Sequence, residues 1–145
     1  MTVVWIVLGL GAMMAVLLGA VAIVVRTARA RLEEARQAYP DARHVEPAAL
    51  FFGQESRGAT QMRGNGTLVF DTEEVVFRQW VVDRVFRVPY RAIQAVETPR
   101  SFLGKSQGVQ LLKIRYRTDD GAEDSMAWRV RDLDGSMRAI EAGRG

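Results

Sequence analysis

The 145-residue chain contains no cysteine and a single histidine, His44. Without cysteine there is no disulfide, no thiolate metal site and no thiol nucleophile, so a reducing compartment is permitted. One histidine also disfavours histidine-based triads and metal sites. We therefore expect no catalytic, metal-binding or cofactor-binding residue and interpret the chain as a protein without enzymatic activity. A carboxylate-based mechanism is the alternative that the composition leaves open.

Charge is absent from the start of the chain, where Val3 to Val25 form an apolar run without a hydroxyl group. As a helix rising about 1.5 Å per residue, this run would be roughly 34 Å long, enough for a hydrocarbon core of about 30 Å. We predict that residues 1–25 form one transmembrane anchor. A cleaved signal peptide ending near Ala20-Val21-Ala22 is the competing interpretation, but the basic segment that opens such peptides is missing.

Arginines follow the apolar run at once, at Arg26, Arg29 and Arg31, and no charged side chain precedes it. By the positive-inside rule, this asymmetry places the C-terminal side in the cytoplasm. We therefore expect a single-pass protein of the cell membrane with its soluble part cytoplasmic. The remaining cations are also mostly arginine, since Lys105 and Lys113 are the only lysines, a bias typical of GC-rich bacterial genomes.

Small residues recur every four positions in the apolar run, at Gly11, Ala15 and Gly19. Such a ridge lets two helix backbones approach closely in lipid, which predicts a homodimer through the transmembrane helix. Glycine and alanine are common in membrane spans, so an unpaired anchor, or an anchor with a different partner, is the alternative.

Residues 26–47 join the anchor to the rest of the chain. Up to residue 39 they are rich in good helix formers and contain neither glycine nor proline, so we expect the helix to continue as a solvated stalk. Pro40 ends this helix, because proline lacks the amide hydrogen and disfavours the helical conformation of the residue before it. The segment from Pro40 to Pro47, which includes His44, is predicted to be a linker.

From residue 48 to residue 141, short apolar runs separated by Gly, Asp and Thr replace the helical period, which is typical of antiparallel strands. Gly64-Asn65-Gly66 and Asp119-Asp120-Gly121 are predicted turns, and Glu123-Asp124 is interpreted as a pair of solvated turn residues. The predicted strands are Leu50 to Phe52, Ala59 to Arg63, Thr67 to Phe70, Val75 to Val81, Val85 to Pro89, Gln110 to Arg117 and Asp124 to Val130.

A helix is predicted to close the domain. Asp132 can cap its N-terminus, and Leu133, Met137 and Ile140 form an apolar stripe that can cover one end of a sheet. Residues 142–145 are expected to be a frayed tail. The predicted fold class is α+β, mainly β, with an N-terminal transmembrane helix, an antiparallel β domain and a C-terminal helix.

A pattern of core positions and turns runs through the predicted domain. Its members are Gly66-Thr67-Leu68, Thr72, Phe77, Val88-Pro89, Ile93, Val96, Leu112, Ile114, Asp120-Gly121, Trp128, Val130 and Ile140. This pattern resembles the GRAM and bacterial PH-like domains. The resemblance implies an antiparallel β domain closed by a C-terminal helix, in a superfold that serves lipid-binding, peptide-binding and structural roles.

Strand alternation predicts one basic, solvent-facing surface. Lys113, Arg115 and Arg117 share a face of one strand, and Arg78 and Arg87 are expected to join them if the neighbouring strands pair. An anionic partner follows from this charge, either the anionic inner leaflet, where each cation contributes about 1 kcal/mol, or an acidic protein. Nucleic acid is disfavoured, because the chain is tethered and lacks a basic recognition helix.

These features together predict a membrane-anchored PH/GRAM-like domain that acts as a noncatalytic interaction module at the membrane surface. The alternative is a small accessory subunit of a larger membrane protein complex. In the first case the basic strand face carries the partner surface, and in the second case the membrane span carries it.

Overall fold

The computed structural model describes all 145 residues and begins with one uninterrupted helix, α1 (Thr2–Ala38). At about 1.5 Å per residue, this helix is roughly 55 Å long. Its apolar part is long enough and apolar enough to cross a membrane, and none of that part is buried within the chain. A signal sequence near an N-terminus can also form a helix this long and apolar. The predicted continuation of the helix beyond the apolar run is confirmed.

Nine strands and a second helix follow α1. Seven strands form one antiparallel sheet in the order β4-β3-β2-β1-β9-β8-β5, and β6 pairs with β7 in a separate hairpin. The elements are β1 (His44–Gln54), β2 (Gly64–Phe70), β3 (Glu74–Gln79), β4 (Arg84–Pro89), β5 (Ile93–Glu97), β6 (Ser101–Phe102), β7 (Lys105–Ser106), β8 (Leu112–Arg117), β9 (Glu123–Arg129) and α2 (Leu133–Arg144). This layout is consistent with a PH-like fold.

The core lies on one face of the sheet, which we call the inner face. Trp128 lies at its centre, with its ring centroid 5.7 Å from the centroids of both Phe51 and Phe77. Helix α2 contributes Ala139 and Ile140 to the same cluster of sixteen buried residues. One continuous apolar cluster therefore joins all seven strands of the sheet to the closing helix.

Several predicted elements are confirmed. The strands predicted at Thr67 to Phe70, Val75 to Val81 and Val85 to Pro89 are confirmed as β2, β3 and β4, and β8 alternates buried and outward residues as predicted. Gly121 has a positive φ of 86° in the turn between β8 and β9. Asp132 caps α2, because its Oδ1 accepts a hydrogen bond of 2.8 Å from the backbone N–H of Gly135.

The predicted strand from Ala59 to Arg63 and the predicted turn at Gly64-Asn65-Gly66 are wrong. Residues 58–63 form an irregular loop, and the two glycines belong to β2. The glycines serve close packing, not a positive φ, because a Cβ at Gly66 would lie 2.5 Å from the ring of Phe77. Glycine at such a position allows a neighbouring ring to cover the backbone directly.

The predicted linker is shorter than expected, because β1 already begins at His44. Glu46 is only 2% exposed, and its carboxylate accepts hydrogen bonds from the backbone N–H groups of Arg131 and Asp132, at 3.1 and 2.8 Å. His44 Nε2 lies 3.2 Å from the same carboxylate. These long-range bonds fix the start of β1 against the start of α2.

Two further segments are more ordered than predicted. The region after Pro99, where the sequence predicts no strand, contains the small hairpin of β6 and β7. Helix α2 extends to Arg144 instead of fraying at Gly143, because Gly143 packs closely on the ring of Tyr90. A Cβ at Gly143 would lie 2.4 Å from that ring, so only glycine fits there.

Candidate functional site

The last two turns of α1 pack on the outer face of the sheet. Ala35 is buried against Val69 of β2 and Val76 of β3, and partly buried Tyr39 and Val45 extend this contact. The prediction of a solvated stalk is therefore wrong for this end of the helix. Alanine permits the approach because a short side chain brings the helix backbone close to the strands.

Polar contacts surround this junction. Arg31 lies over the ring of Trp80, with 5.3 Å between its guanidinium carbon and the ring centroid. Arg78 lies 3.6 Å from Glu34 of the helix and 3.2 Å from Asp83 of its own hairpin. The junction thus combines an apolar centre with an aromatic and ionic rim, and it borders a half-open cleft of about 320 Å³.

Arg87 is also engaged at this junction. Its guanidinium donates hydrogen bonds to Glu74 on β3 and to the hydroxyl of Tyr39 at 3.5 Å. The hydrogen bond to Glu74 raises the pKa of Arg87 above its ordinary value. Both Arg78 and Arg87 are therefore paired with groups of this chain instead of lying free on an open basic surface.

The structure separates the predicted anionic-surface residues into two groups. Arg78 and Arg87 lie on β3 and β4 at one edge of the sheet, whereas β8 lies next to the opposite edge. Strands β2, β1 and β9 stand between the two groups, so the strands that would have joined them do not pair. The separation of these residues could not be predicted from their positions in the sequence, because it depends on the order of the strands in the sheet.

On β8, the outward residues Lys113, Arg115 and Arg117 form what we call the β8 face. They alternate with the buried side chains of Leu112, Ile114 and Tyr116. Lys113 Nζ lies 3.0 Å from a carboxylate oxygen of Glu97 and 5.8 Å from the ring centroid of Phe102. The hydrogen bond from Lys113 lowers the pKa of Glu97.

The two arginines of the β8 face are more open. Arg115 and Arg117 are exposed, and neither makes an ion pair within 4.0 Å. Across the ladder, Arg115 is opposite Ser125, and Arg117 is opposite Glu123. The β8 face therefore presents two guanidinium groups that make no ion pair, and Nη2 of Arg117 lies 3.1 Å from the side-chain amide of Gln94.

A buried polar cluster lies at the end of β9, where the sequence predicted solvated turn carboxylates. Asp124 is 5% exposed and accepts hydrogen bonds from the N–H and hydroxyl of Ser56, at 3.0 and 2.7 Å, and from Gln54 at 2.6 Å. Burial by itself raises the pKa of Asp124, but the hydrogen bonds lower this pKa by a larger amount. The pKa of Asp124 in the folded protein therefore lies below the ordinary value of 3.8. Burial raises the pKa of neighbouring Tyr116 to about 12.

This cluster fastens the loop after β1 to the sheet. Because the Asp124 oxygens are already occupied and the pKa is lowered, the carboxylate is a poor proton acceptor for chemistry at neutral pH. The sequence contained one signal for its burial, since Asp124 has the same strand parity as Met126 and Trp128.

The small residues of the apolar run remain without partners in the single chain. Gly11, Ala15 and Gly19 are exposed on α1, and a Cβ added at Gly11 or Gly19 would meet no atom within 4 Å. Spacing of four residues places them along one side of the helix. Helix pairing through this ridge stays a prediction.

No protein-family model and no curated protein matches the chain. Among solved structures, the chain is similar to the crystal structure of the C-terminal domain of an unknown protein from Leishmania infantum. The TM-score is 0.50 at 12% sequence identity, and the match covers 75% of this chain and 93% of that chain. At this identity the likeness concerns the fold alone.

Proposed function

We propose that the chain is a single-pass membrane protein whose cytoplasmic PH/GRAM-like domain is a noncatalytic interaction module at the membrane surface. In this proposal α1 spans the bilayer with its N-terminus outside. The β8 face then binds an anionic partner, either anionic lipid headgroups or an acidic protein.

The continuity of α1 is the observation that carries the proposal. The helix runs without a break from the apolar segment to Ala35, which packs on β2 and β3. A domain attached in this way stays within a short, fixed distance of the bilayer, unlike a domain on a flexible linker. Arg26 and Arg29 lie at the end of the apolar run, where the positive-inside rule places the cytoplasm.

The polar groups of the domain support a role without catalysis. The buried carboxylates of Glu46 and Asp124 are both used to hold backbone N–H groups. His44, the single histidine, lies beside Glu46 at the start of β1. By contrast, Arg115 and Arg117 are exposed and free of ion pairs, which makes the β8 face available to a partner.

Binding can be tested with the full chain in nanodiscs of phosphatidylcholine, mixed with separate vesicles with or without phosphatidylglycerol. We expect binding to the anionic vesicles, and we expect the triple substitution Lys113→Ser, Arg115→Ser and Arg117→Ser to weaken it. Binding should also fall as salt rises, since exposed charges are screened within about 8 Å at physiological ionic strength.

A matched control separates the β8 face from net charge. The triple substitution Arg43→Ser, Arg131→Ser and Arg138→Ser removes three exposed cations elsewhere and should leave binding nearly unchanged. Equal losses in both triple variants would contradict a role for the β8 face. If the wild-type chain does not bind anionic vesicles, anionic lipid is excluded as the partner of the β8 face. Crosslinking through the β8 face then tests whether the partner is an acidic protein.

A second candidate function is a small accessory subunit of a larger membrane complex, and the bare apolar surface of α1 favours it. None of the apolar window of α1 is covered by the rest of the chain, so this surface is free for another span. Partner recovery from detergent-solubilised membranes, with and without residues 1–25, separates the two functions. Loss of all partners without these residues favours the subunit.

The two candidate functions share one topology. A topology reporter fused after Gly145 should therefore indicate a cytoplasmic C-terminus in both cases.

A further inference from the structure

The tip of the hairpin between β3 and β4 carries three exposed valines within five residues. Val81 is 91% exposed, Val82 is 52% exposed and Val85 is 46% exposed. Single exposed valines are normal on protein surfaces, but a contiguous apolar tip indicates a surface that is covered in the working protein. We call residues 80–85 the valine tip.

The contacts of α1 show which way the valine tip points. Near the apolar run, Arg31 contacts Trp80, and one turn later Ala35 packs on Val76. The farther a residue of α1 lies from the apolar run, the earlier in β3 is the residue that it contacts. Strand β3 therefore runs toward the apolar end of α1, and the turn that follows β3 is the part of this hairpin closest to that end.

The distance to the bilayer is short. Arg31 is six residues beyond Val25, or roughly 9 Å along the helix axis. The polar layer on each side of the hydrocarbon core is about 5 to 8 Å thick. Val81 and Val82 lie in the turn that follows Trp80, on the bilayer side of the contact between Arg31 and Trp80, which places them at the depth of the headgroups.

The charges beside the valine tip fit this position. Arg84 is exposed at the tip, and Arg29 is exposed on the adjacent stretch of α1, whereas Asp83 is already paired with Arg78. Apolar side chains flanked by arginine are the composition of segments that lie in a membrane interface. Arginine can also keep its charge among the headgroups while its carbon stem covers apolar surface.

We propose that the valine tip is a second membrane contact, in which Val81 and Val82 enter the interface of the same bilayer that α1 spans. The inference rests on the membrane anchorage in the proposed function and adds a fixed orientation of the domain. With α1 and the valine tip both held by the bilayer, the domain cannot rotate freely about the helix.

The chain has no cysteine, so single cysteines can carry an environment-sensitive fluorophore at chosen positions. Full-length Val81→Cys, reconstituted in vesicles that contain spin-labelled lipid, should show a blue-shifted emission and a loss of fluorescence by quenching. Ala142→Cys is the control, because Ala142 is exposed near the opposite end of the hairpin, where α2 contacts the turn after β4. No quenching is expected at Ala142.

Val16→Cys, in the apolar run, separates the two proposals. Quenching at Val16 and Val81 but not at Ala142 supports the valine tip as a membrane contact. Quenching at Val16 alone overturns the valine tip and leaves the anchor intact. An unquenched Val16 overturns the membrane anchor itself. The double variant Val81→Ser and Val82→Ser, labelled at Arg84→Cys, should show less quenching than Arg84→Cys in the parent chain.

Discussion

The two faces of the sheet are organised in different ways. The inner face holds one cluster of sixteen buried residues that joins every strand of the seven-stranded sheet to α2. The outer face holds two small clusters, one of four residues under the β6-β7 hairpin and one of three under the end of α1. Continuous burial on the inner face determines the fold, whereas patchy burial on the outer face leaves room for attachment and binding.

The largest expected effect comes from the centre of the inner face. Trp128→Ala removes a fully buried aromatic side chain between Phe51 and Phe77, so the free energy of unfolding should fall by about 3 to 5 kcal/mol. Urea unfolding of the full chain in nonionic detergent, followed by circular dichroism of the sheet, measures the change.

Trp128→Phe is the matched control for this substitution. It keeps most of the apolar volume and removes an indole N–H that is buried without a hydrogen-bond partner. Its cost should stay below about 1.5 kcal/mol. If Trp128→Ala cost no more than Trp128→Phe, the inner face would not depend on this ring, and the contrast between the two faces would be lost.

An intermediate effect is expected at the polar end of the inner face. Asp124→Asn leaves donors from Ser56, Gln54 and Ser125 partly unpaired and should cost about 1 to 3 kcal/mol at neutral pH. The exposed Asp119→Asn should be nearly neutral.

The pH dependence of this effect has a definite sign. Because the folded pKa of Asp124 lies below the ordinary 3.8, its ionised form adds stability above that pH, and the contribution disappears as the pH falls through the folded pKa. The difference in unfolding free energy between wild type and Asp124→Asn should therefore shrink on acidification from pH 5 toward the folded pKa. A difference that stays constant over this range would contradict the role of the ionised carboxylate.

The smallest global effect is expected on the outer face. Ala35→Asp places a charge against Val69 and Val76 and should release the end of α1 from the sheet, at a cost of about 0.5 to 1 kcal/mol. Limited trypsin digestion should then cut faster after Arg36. Gln37→Asp, an exposed position of the same helix, should leave the cleavage rate unchanged. Equal cleavage in both variants would indicate that the end of α1 is not held by the sheet.

The sequence predicted the elements whose pattern is local. Alternation in β8, the turn at Gly121 and the cap at Asp132 each depend on a few neighbouring residues, and all are confirmed. The misplaced elements depend on distant partners. Gly66 resembles a turn residue until the ring of Phe77 is placed over it, and Asp124 resembles a solvated carboxylate until Ser56 is brought to it.

The candidate site shows the same division. The shared face of Lys113, Arg115 and Arg117 follows from parity within one strand, and the structure places them together. The docking of Ala35 and the pairing of Arg78 with Glu34 require the strand order and the path of α1. Neither is encoded in a short stretch of sequence, because each joins residues that lie more than thirty positions apart.

The hydrogen bonds of Glu46 determine which fragment of the chain is the shortest that can fold independently. Its carboxylate, near the beginning of the domain, holds the backbone just before the last helix, so the two ends of the domain close on each other. A fragment starting at residue 48 would lack this carboxylate and leave two backbone N–H groups at the entrance of α2 without their acceptor. A self-sufficient fragment must therefore include Glu46, and one that also keeps the packing of Ala35 must start within α1.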